Sequence, residues 1–263
     1  MKIRGNDTFA RGFNEIVSHD GANPEMLMDF AVLSLGKGES YSDDTPMEKA
    51  YLLMFGSVTF SWDGHEETVS RGSYLDEDPI CLHVPAGVSI TVTGVGENSE
   101  LSVHRTENSE TFPAKLYHQG ECRTEIRGKG QMNEAGTRIV RTILDKSISP
   151  NANLMLGEDV HYPGKWSGFP SHHHPQPEIY FYKFRPQNGF GLIKLGDGAE
   201  LLEHNDTLLI HPGQVHPQVA APGYAMYYIW VIRHLPGNPY ISPIFEEEHL
   251  WVEKPGVKLW PEG

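Results

Sequence analysis

The chain holds only two cysteines in 263 residues, Cys81 and Cys122. Two thiols make no disulfide framework, and their spacing is not that of a zinc ribbon. Two reduced, partly buried thiols are expected instead. Positive charge is scarce as well, with 21 Lys and Arg against 35 Asp and Glu and a formal net charge of −14. A general nucleic-acid binder needs clustered cations to neutralise phosphates, so that class is excluded. One local basic pocket remains compatible with an acidic small molecule. Long apolar runs are missing. The longest, Tyr224 to Ile232, is far short of the ~20 residues of a membrane span, and the start Met1-Lys-Ile-Arg-Gly5 has no signal-peptide character. A soluble cytoplasmic protein follows, with no membrane partner. Helical periodicity is nearly absent: only Asn23 to Phe30 predicts a turn or two, with Asn23 as cap and Pro24 as first helical residue.

What is plentiful is turn chemistry, 27 Gly and 19 Pro, between short β-like runs. Ala50 to Phe55 and Ser57 to Trp62 flank Gly56, and Asp63-Gly64 is a hairpin turn. Ile80 to Val84, the turn Pro85-Ala-Gly87, Val88 to Thr93 and Leu101 to His104 continue the pattern. The second half repeats it with Glu178 to Phe184, Gly189 to Leu195, Thr207 to Ile210, Gln214 to Val219 and Met226 to Ile232, where Pro212-Gly213 takes the place of Pro85-Ala-Gly87. Two β-rich halves, each with a strand, a Pro-Gly turn and a strand, predict an all-β chain of two barrels in tandem. The boundary is expected in the turn-rich stretch 120–150.

Chemistry concentrates in Pro170-Ser-His172-His-His174-Pro-Gln-Pro-Glu178-Ile-Tyr-Phe-Tyr182. Alternate residues of a strand share a face, so His172 and His174 project together, and Glu178 stays in phase if Pro175 to Pro177 remain extended. A third imidazole comes from Pro212-Gly-Gln-Val-His216, with His216 on the return strand. Three imidazoles and a carboxylate suit one divalent transition metal ion, Zn, Mn, Ni or Fe. Three histidines in a row are also a common solvated loop; the pair of motifs, not either alone, points to a metal.

His-x-His-x-x-x-Glu followed by Pro-Gly-x-x-His resembles the pattern of the cupin superfamily. His83 to Val92, Pro163 to Pro170, Glu178 to Tyr182, Asn188 to Gly191, His211 to Pro217 and Ala221 to Tyr228 more specifically resemble the 5-deoxy-glucuronate isomerase family of myo-inositol catabolism. That family is related to the 4-deoxy-threo-5-hexosulose-uronate ketol-isomerases. The resemblance implies a bicupin of jelly-roll type, with residues 1–140 a metal-free N-terminal barrel and 141–263 the barrel that carries the ion on His172, His174, Glu178 and His216. It further implies an aldose–ketose isomerase acting on a deoxy sugar acid, from 5-deoxy-glucuronate to 5-dehydro-2-deoxy-gluconate. The chain departs from the family at a shorter insert before Glu178, at Ile229-Trp230 and at Ile193-Lys194, positions expected near the mouth or wall of the site.

Such a reaction needs a metal, an acid–base group and a clamp for the substrate carboxylate. Tyr180 and Tyr182 share the phase of Glu178, Gln218 shares that of His216, and Glu178 itself is a possible base. Clamp candidates are Lys165, Arg138, Arg141, Lys194 and Arg233, with Lys165 first because it leads into the ligand segment. Two rival classes share the ligand pattern: an Fe(II)-dependent cupin dioxygenase and a non-catalytic sugar-binding cupin. Exposed barrel faces make a homo-oligomer the expected assembly.

Overall fold

A computed structural model describes residues 1–261. The described residues are mostly β-strand, with three short 3-10 segments among them. No helix among the described residues is long and apolar enough to cross a membrane. Cys81 is buried and Cys122 half-buried, and they are not joined.

The strands form two compact units that interleave along the chain. One comprises Thr8–Arg123 and Arg141–Gly157; the other comprises Met1–Asp7, Thr124–Val140 and the residues from Glu158 onward. The stretch 120–150 is not a plain linker, because it contains the strands Arg123–Arg127 and Arg138–Leu144.

In the first of these units a sheet runs Lys115–Tyr117, Ile80–Val84, Glu48–Trp62, Ser99–Thr106, Asp29–Leu35, Gly12–Val17. Gly56 does not end a strand as the sequence suggested. Glu48–Trp62 is one strand of 15 residues, bulged between Leu53 and Phe55. Gly56 takes φ +109°, and a Cβ there would lie 2.5 Å from Ser99 Cα, so only glycine fits. The bend lets one strand serve two sheets. Its first half pairs with Ile80–Val84 and Ser99–Thr106, its second with His65–Arg71 and Ile90–Gly94. With Ser40–Asp43 beside Ile90–Gly94, a four-stranded sheet results. Asp63 and Gly64 both have positive φ, 44° and 76°, as a two-residue hairpin turn requires. Alternating apolar residues of these strands, among them Leu33, Tyr51, Leu53, Phe60, Leu82, Val92 and Val103, form one buried cluster; each such side chain contributes roughly 1.5–3 kcal/mol on burial. Near Asn23 the expected helix shrinks to Pro24–Met26, and Asn23 makes no side-chain cap bond.

A seven-stranded sheet runs Lys2–Ile3, Thr207–Ile210, Glu178–Arg185, Ala225–Arg233, Leu154–His161, Arg138–Leu144, Arg123–Arg127, and its first four strands belong to the other unit. Its four-stranded sheet runs Trp166–Ser167, Gln218–Ala220, Gly191–Leu195, Gly198–Leu202. Both four-stranded sheets therefore take their strands in the same chain order: first, fourth, second, third. The return strand after Pro212-Gly213 starts only at Gln218, so His216 lies in irregular chain rather than on a strand. Gly213, at φ +82°, makes the turn.

Candidate metal centre

His172-His173 forms a two-residue strand paired with Ile244-Phe245, and Glu178 opens a separate strand. The chain bends between them, so the expected single extended run does not exist. The ligand groups nonetheless meet. One donor atom each from His174, Glu178 and His216 lies within 4.8 Å of the others, and all three residues are buried.

Glu178 Oε2 is 3.1 Å from His174 Nε2 and 3.4 Å from His216 Nε2. Each imidazole is oriented from behind. His174 Nδ1 donates to Gln176 O at 3.0 Å, and His216 Nδ1 to Gln214 O at 2.9 Å. These bonds put the proton on Nδ1 and leave an Nε2 lone pair facing a carboxylate oxygen. Burial pushes His216 down to about 4, so the ring is neutral at pH 7. Two imidazole nitrogens and a carboxylate oxygen thus converge in a buried place, an arrangement that a cation among them stabilises. Bonds of about 2.1 Å to a metal place neighbouring donors roughly 3 Å apart, close to the spacing seen. The donor set fits a divalent transition metal. His172 stands just outside this trio, with its ring 5.0 Å from that of His216 and its Nδ1 donating to Pro170 O at 3.2 Å. Burial also lowers His172 to about 4.

Next to the trio lies a layer of tyrosines. Tyr180 and Tyr182 share the phase of Glu178, while Trp230 and Tyr228 face them from the adjacent strand. The Tyr182 hydroxyl donates to Gln218 Oε1 at 2.6 Å, and Tyr228 donates to Ser167 Oγ at 3.1 Å. The Tyr180 ring lies 5.8 Å from His216, and its hydroxyl has no hydrogen-bond partner among the described residues. Burial raises all three phenols well above the usual tyrosine range, with nearby negative groups adding to it. They stay protonated and act as donors.

Of the five clamp candidates, one lies beside this layer. Arg138 Nε donates to Asp159 Oδ2 at 2.9 Å and Nη1 to Gly136 O at 3.1 Å. Asp159 also accepts from Trp230 Nε1 at 2.9 Å. Burial works against the Arg138 charge, yet Asp159 holds it above its ordinary value, and Tyr228 and Tyr180 feel it. Arg141 belongs to the other unit, where it donates to the carbonyls of Tyr74 and Leu75 and faces Asp78. Lys194 is exposed on the outward face of its strand rather than in the wall of the site. Lys165 is half-buried with its ammonium near the exposed Glu134, and Arg233 Nη1 donates to His234 O.

Trp230 was expected near the mouth or wall of the site, whereas several other residues here escaped the sequence reading. Tyr228 alternates with Trp230 on a strand that was legible, so a period-two count finds it. Asp159, Ser167 and the buried His161, whose Nδ1 meets Lys165 O at 3.3 Å, carry no such signal. Tyr240 comes from the chain after the last long strand and sets its ring 4.9 Å from His174.

The family model described as "KduI/IolB family" matches residues 3–252. The 5-deoxy-glucuronate isomerase of Geobacillus kaustophilus (strain HTA426) is 28% identical over 222 residues, covering 77% of this chain and 78% of that one. That of Halalkalibacterium halodurans is 25% identical over 257 residues, covering 90% and 91%. Among solved structures, an IolB-like protein from Salmonella typhimurium LT2 superposes with a TM-score of 0.85 at 22% identity, over 96% of this chain and 99% of that one. Lactobacillus farciminis oxalate decarboxylase shares the fold more distantly, with a TM-score of 0.65 at 10% identity over 95% and 89%. The family and the names of these relatives indicate an isomerase.

Proposed function

Because the chain belongs to the KduI/IolB family, we propose that it is a metal-dependent aldose–ketose isomerase acting on a deoxy sugar acid, with 5-deoxy-glucuronate as substrate and 5-dehydro-2-deoxy-gluconate as product. The relatives' names supply the substrate. One observation supports the metal above all others: two imidazoles, each with its Nδ1 tied to a carbonyl, turn their Nε2 atoms on one buried carboxylate oxygen. His174, Glu178 and His216 hold the ion in this reading, and His172 completes the set. When bound, the metal supplies Lewis-acid polarisation of the substrate carbonyl and its neighbouring hydroxyl. We further read the two compact units as two cupin barrels, a reading supported by the shared strand order of their four-stranded sheets.

The reaction moves a proton between adjacent carbons through an enediolate, and it must exchange protons at oxygen as well. Tyr180 serves the oxygen end: its phenol stays protonated and its ring stands 5.8 Å from that of His216. Tyr182 holds Gln218 so that the amide Nε2, which has no partner of its own, is left to donate to a substrate hydroxyl. Arg138 takes the substrate carboxylate, because Asp159 fixes its guanidinium while leaving Nη2 without a partner among the described residues. Incubating the purified protein with 5-deoxy-glucuronate and following the ketose by NMR tests the proposal. Turnover that is lost on chelation and restored by a divalent metal is expected; no turnover with any of several divalent metals removes the assigned reaction.

A further inference from the structure

After its last long strand the chain runs back over the loop that carries the histidine ligands. Asn238 O accepts from Gln176 Nε2 at 2.9 Å, and Tyr240 N donates to His234 Nδ1 at 3.0 Å. Further on, Ile244 and Phe245 pair with His173 and His172, and Glu246 N donates to Ser171 O at 2.8 Å. Residues 238–246 therefore lie along residues 171–176. Pro236, Pro239 and Pro243 restrict φ along this arm, so little freedom is lost in holding it. Gln176 ties the arm to the site. Its carbonyl accepts from His174 Nδ1 at 3.0 Å, while its buried side chain holds Asn238.

What the arm delivers is Tyr240. Its ring stands edge-on to that of His174, with 4.9 Å between centroids and 79° between planes. The residue is half-buried, and its hydroxyl makes no hydrogen bond among the described residues. Packing against His174 needs only the ring, which a phenylalanine would supply; the hydroxyl is left for a molecule that arrives from outside. Tyr180 is its counterpart. The Tyr180 ring meets that of His216, 5.8 Å away, and among the described residues it has no ring contact with His174. Tyr240 in turn has none with His216. The two imidazoles, 5.5 Å apart, thus each have one phenol beside them, one from the sheet and one from the arm.

Two phenols suit a reaction with two oxygens. Between aldose and ketose lies an enediolate, in which negative charge develops on adjacent oxygen atoms. We propose that Tyr240 is a catalytic residue whose hydroxyl donates to one of these oxygens on the His174 side, while Tyr180 donates to the other. Neither phenol gives up its proton. Each hydrogen bond strengthens as charge grows on its oxygen, so it lowers the barrier without tightening the hold on substrate. The inference rests on the isomerase reading for the reaction, but any planar molecule with two adjacent oxygens probes the same hydrogen bond without the sugar acid.

Tyr240→Phe keeps the ring beside His174 and removes only the hydroxyl. With 5-deoxy-glucuronate, kcat is expected to fall roughly tenfold to a hundredfold, with KM within about twofold. Acetohydroxamate, a small planar molecule with two adjacent oxygens, supplies a second readout. Its binding to the protein loaded with Co(II), followed by visible absorption, is expected to weaken roughly tenfold in the variant at equal metal content. Equal hydroxamate affinity in the two proteins overturns the proposal whatever the kinetics show, and so does an unchanged kcat. Loss of metal from Tyr240→Phe also overturns it, because the phenol then supports His174 rather than substrate. If the unaltered protein binds the hydroxamate but leaves 5-deoxy-glucuronate unchanged, the assigned substrate fails and the hydroxamate comparison alone decides Tyr240. An unaltered protein that binds no hydroxamate overturns the proposal.

Discussion

Tyr182 donates its hydroxyl hydrogen to Gln218 Oε1 at 2.6 Å, and both side chains are buried. The bond fixes the orientation of the amide, since an oxygen already accepting from a phenol leaves the nitrogen free to donate. Tyr182→Phe removes that constraint and strands a buried acceptor, at a cost of about 1–3 kcal/mol. Turnover is expected to fall roughly tenfold with metal content unchanged, because Tyr182 positions Gln218 and holds no ion. Steady-state kinetics beside metal analysis check it; equal kcat in the two proteins defeats the positioning role.

Removing either imaginable half of the nitrogen set is expected to empty the site. His174→Ala and His216→Ala should each lose bound metal and nearly all activity, because either leaves Glu178 with a single Nε2 neighbour. His172→Ala should weaken the metal less, since His172 stands outside the close trio. Elemental analysis after gel filtration decides between these outcomes, and undiminished stoichiometry in His216→Ala contradicts the ligand assignment.

Arg138 has a distinct signature. Its fork is oriented by Asp159, so Arg138→Lys keeps a charge but loses the planar geometry. A KM for the sugar acid raised roughly tenfold or more, with kcat less affected, is the expected result. Asp159→Asn should shift KM the same way while leaving the metal in place. An Arg138→Lys variant with wild-type KM rules out carboxylate binding at this residue.

Acid sensitivity should be carried partly by His104, far from any ligand in sequence. Burial lowers its pKa from 6.5 to about 3. The unfolded chain therefore binds a proton below pH 6.5 that the folded chain refuses until about 3. This contribution is complete above pH 6.5, declines as pH falls through that window at about 1.4 kcal/mol per unit, and levels off near 3. Urea midpoints measured from pH 7 to 4 should fall less steeply in His104→Gln than in the unaltered chain. Parallel curves for the two proteins contradict it.

The strands, the hairpin at Asp63-Gly64 and all four proposed ligands were read from local rules, namely period-two alternation, turn residues and the spacing of His and Glu, and three of those ligands meet in the fold. Such features depend on a few neighbouring residues, and a linear reading captures them. Pairing does not. Lys2 pairs with Leu208, Arg138 reaches Asp159, and Trp166, Val219, Leu192 and Leu201 fall into one row only through the register of four strands. Likewise, of five cations equal on paper, only folding could put Arg138 beside the tyrosines and Lys194 toward solvent. By itself the chain determined what chemistry it carries; the tertiary structure decided which groups meet, because a one-residue slip in strand register turns every side chain to the other face.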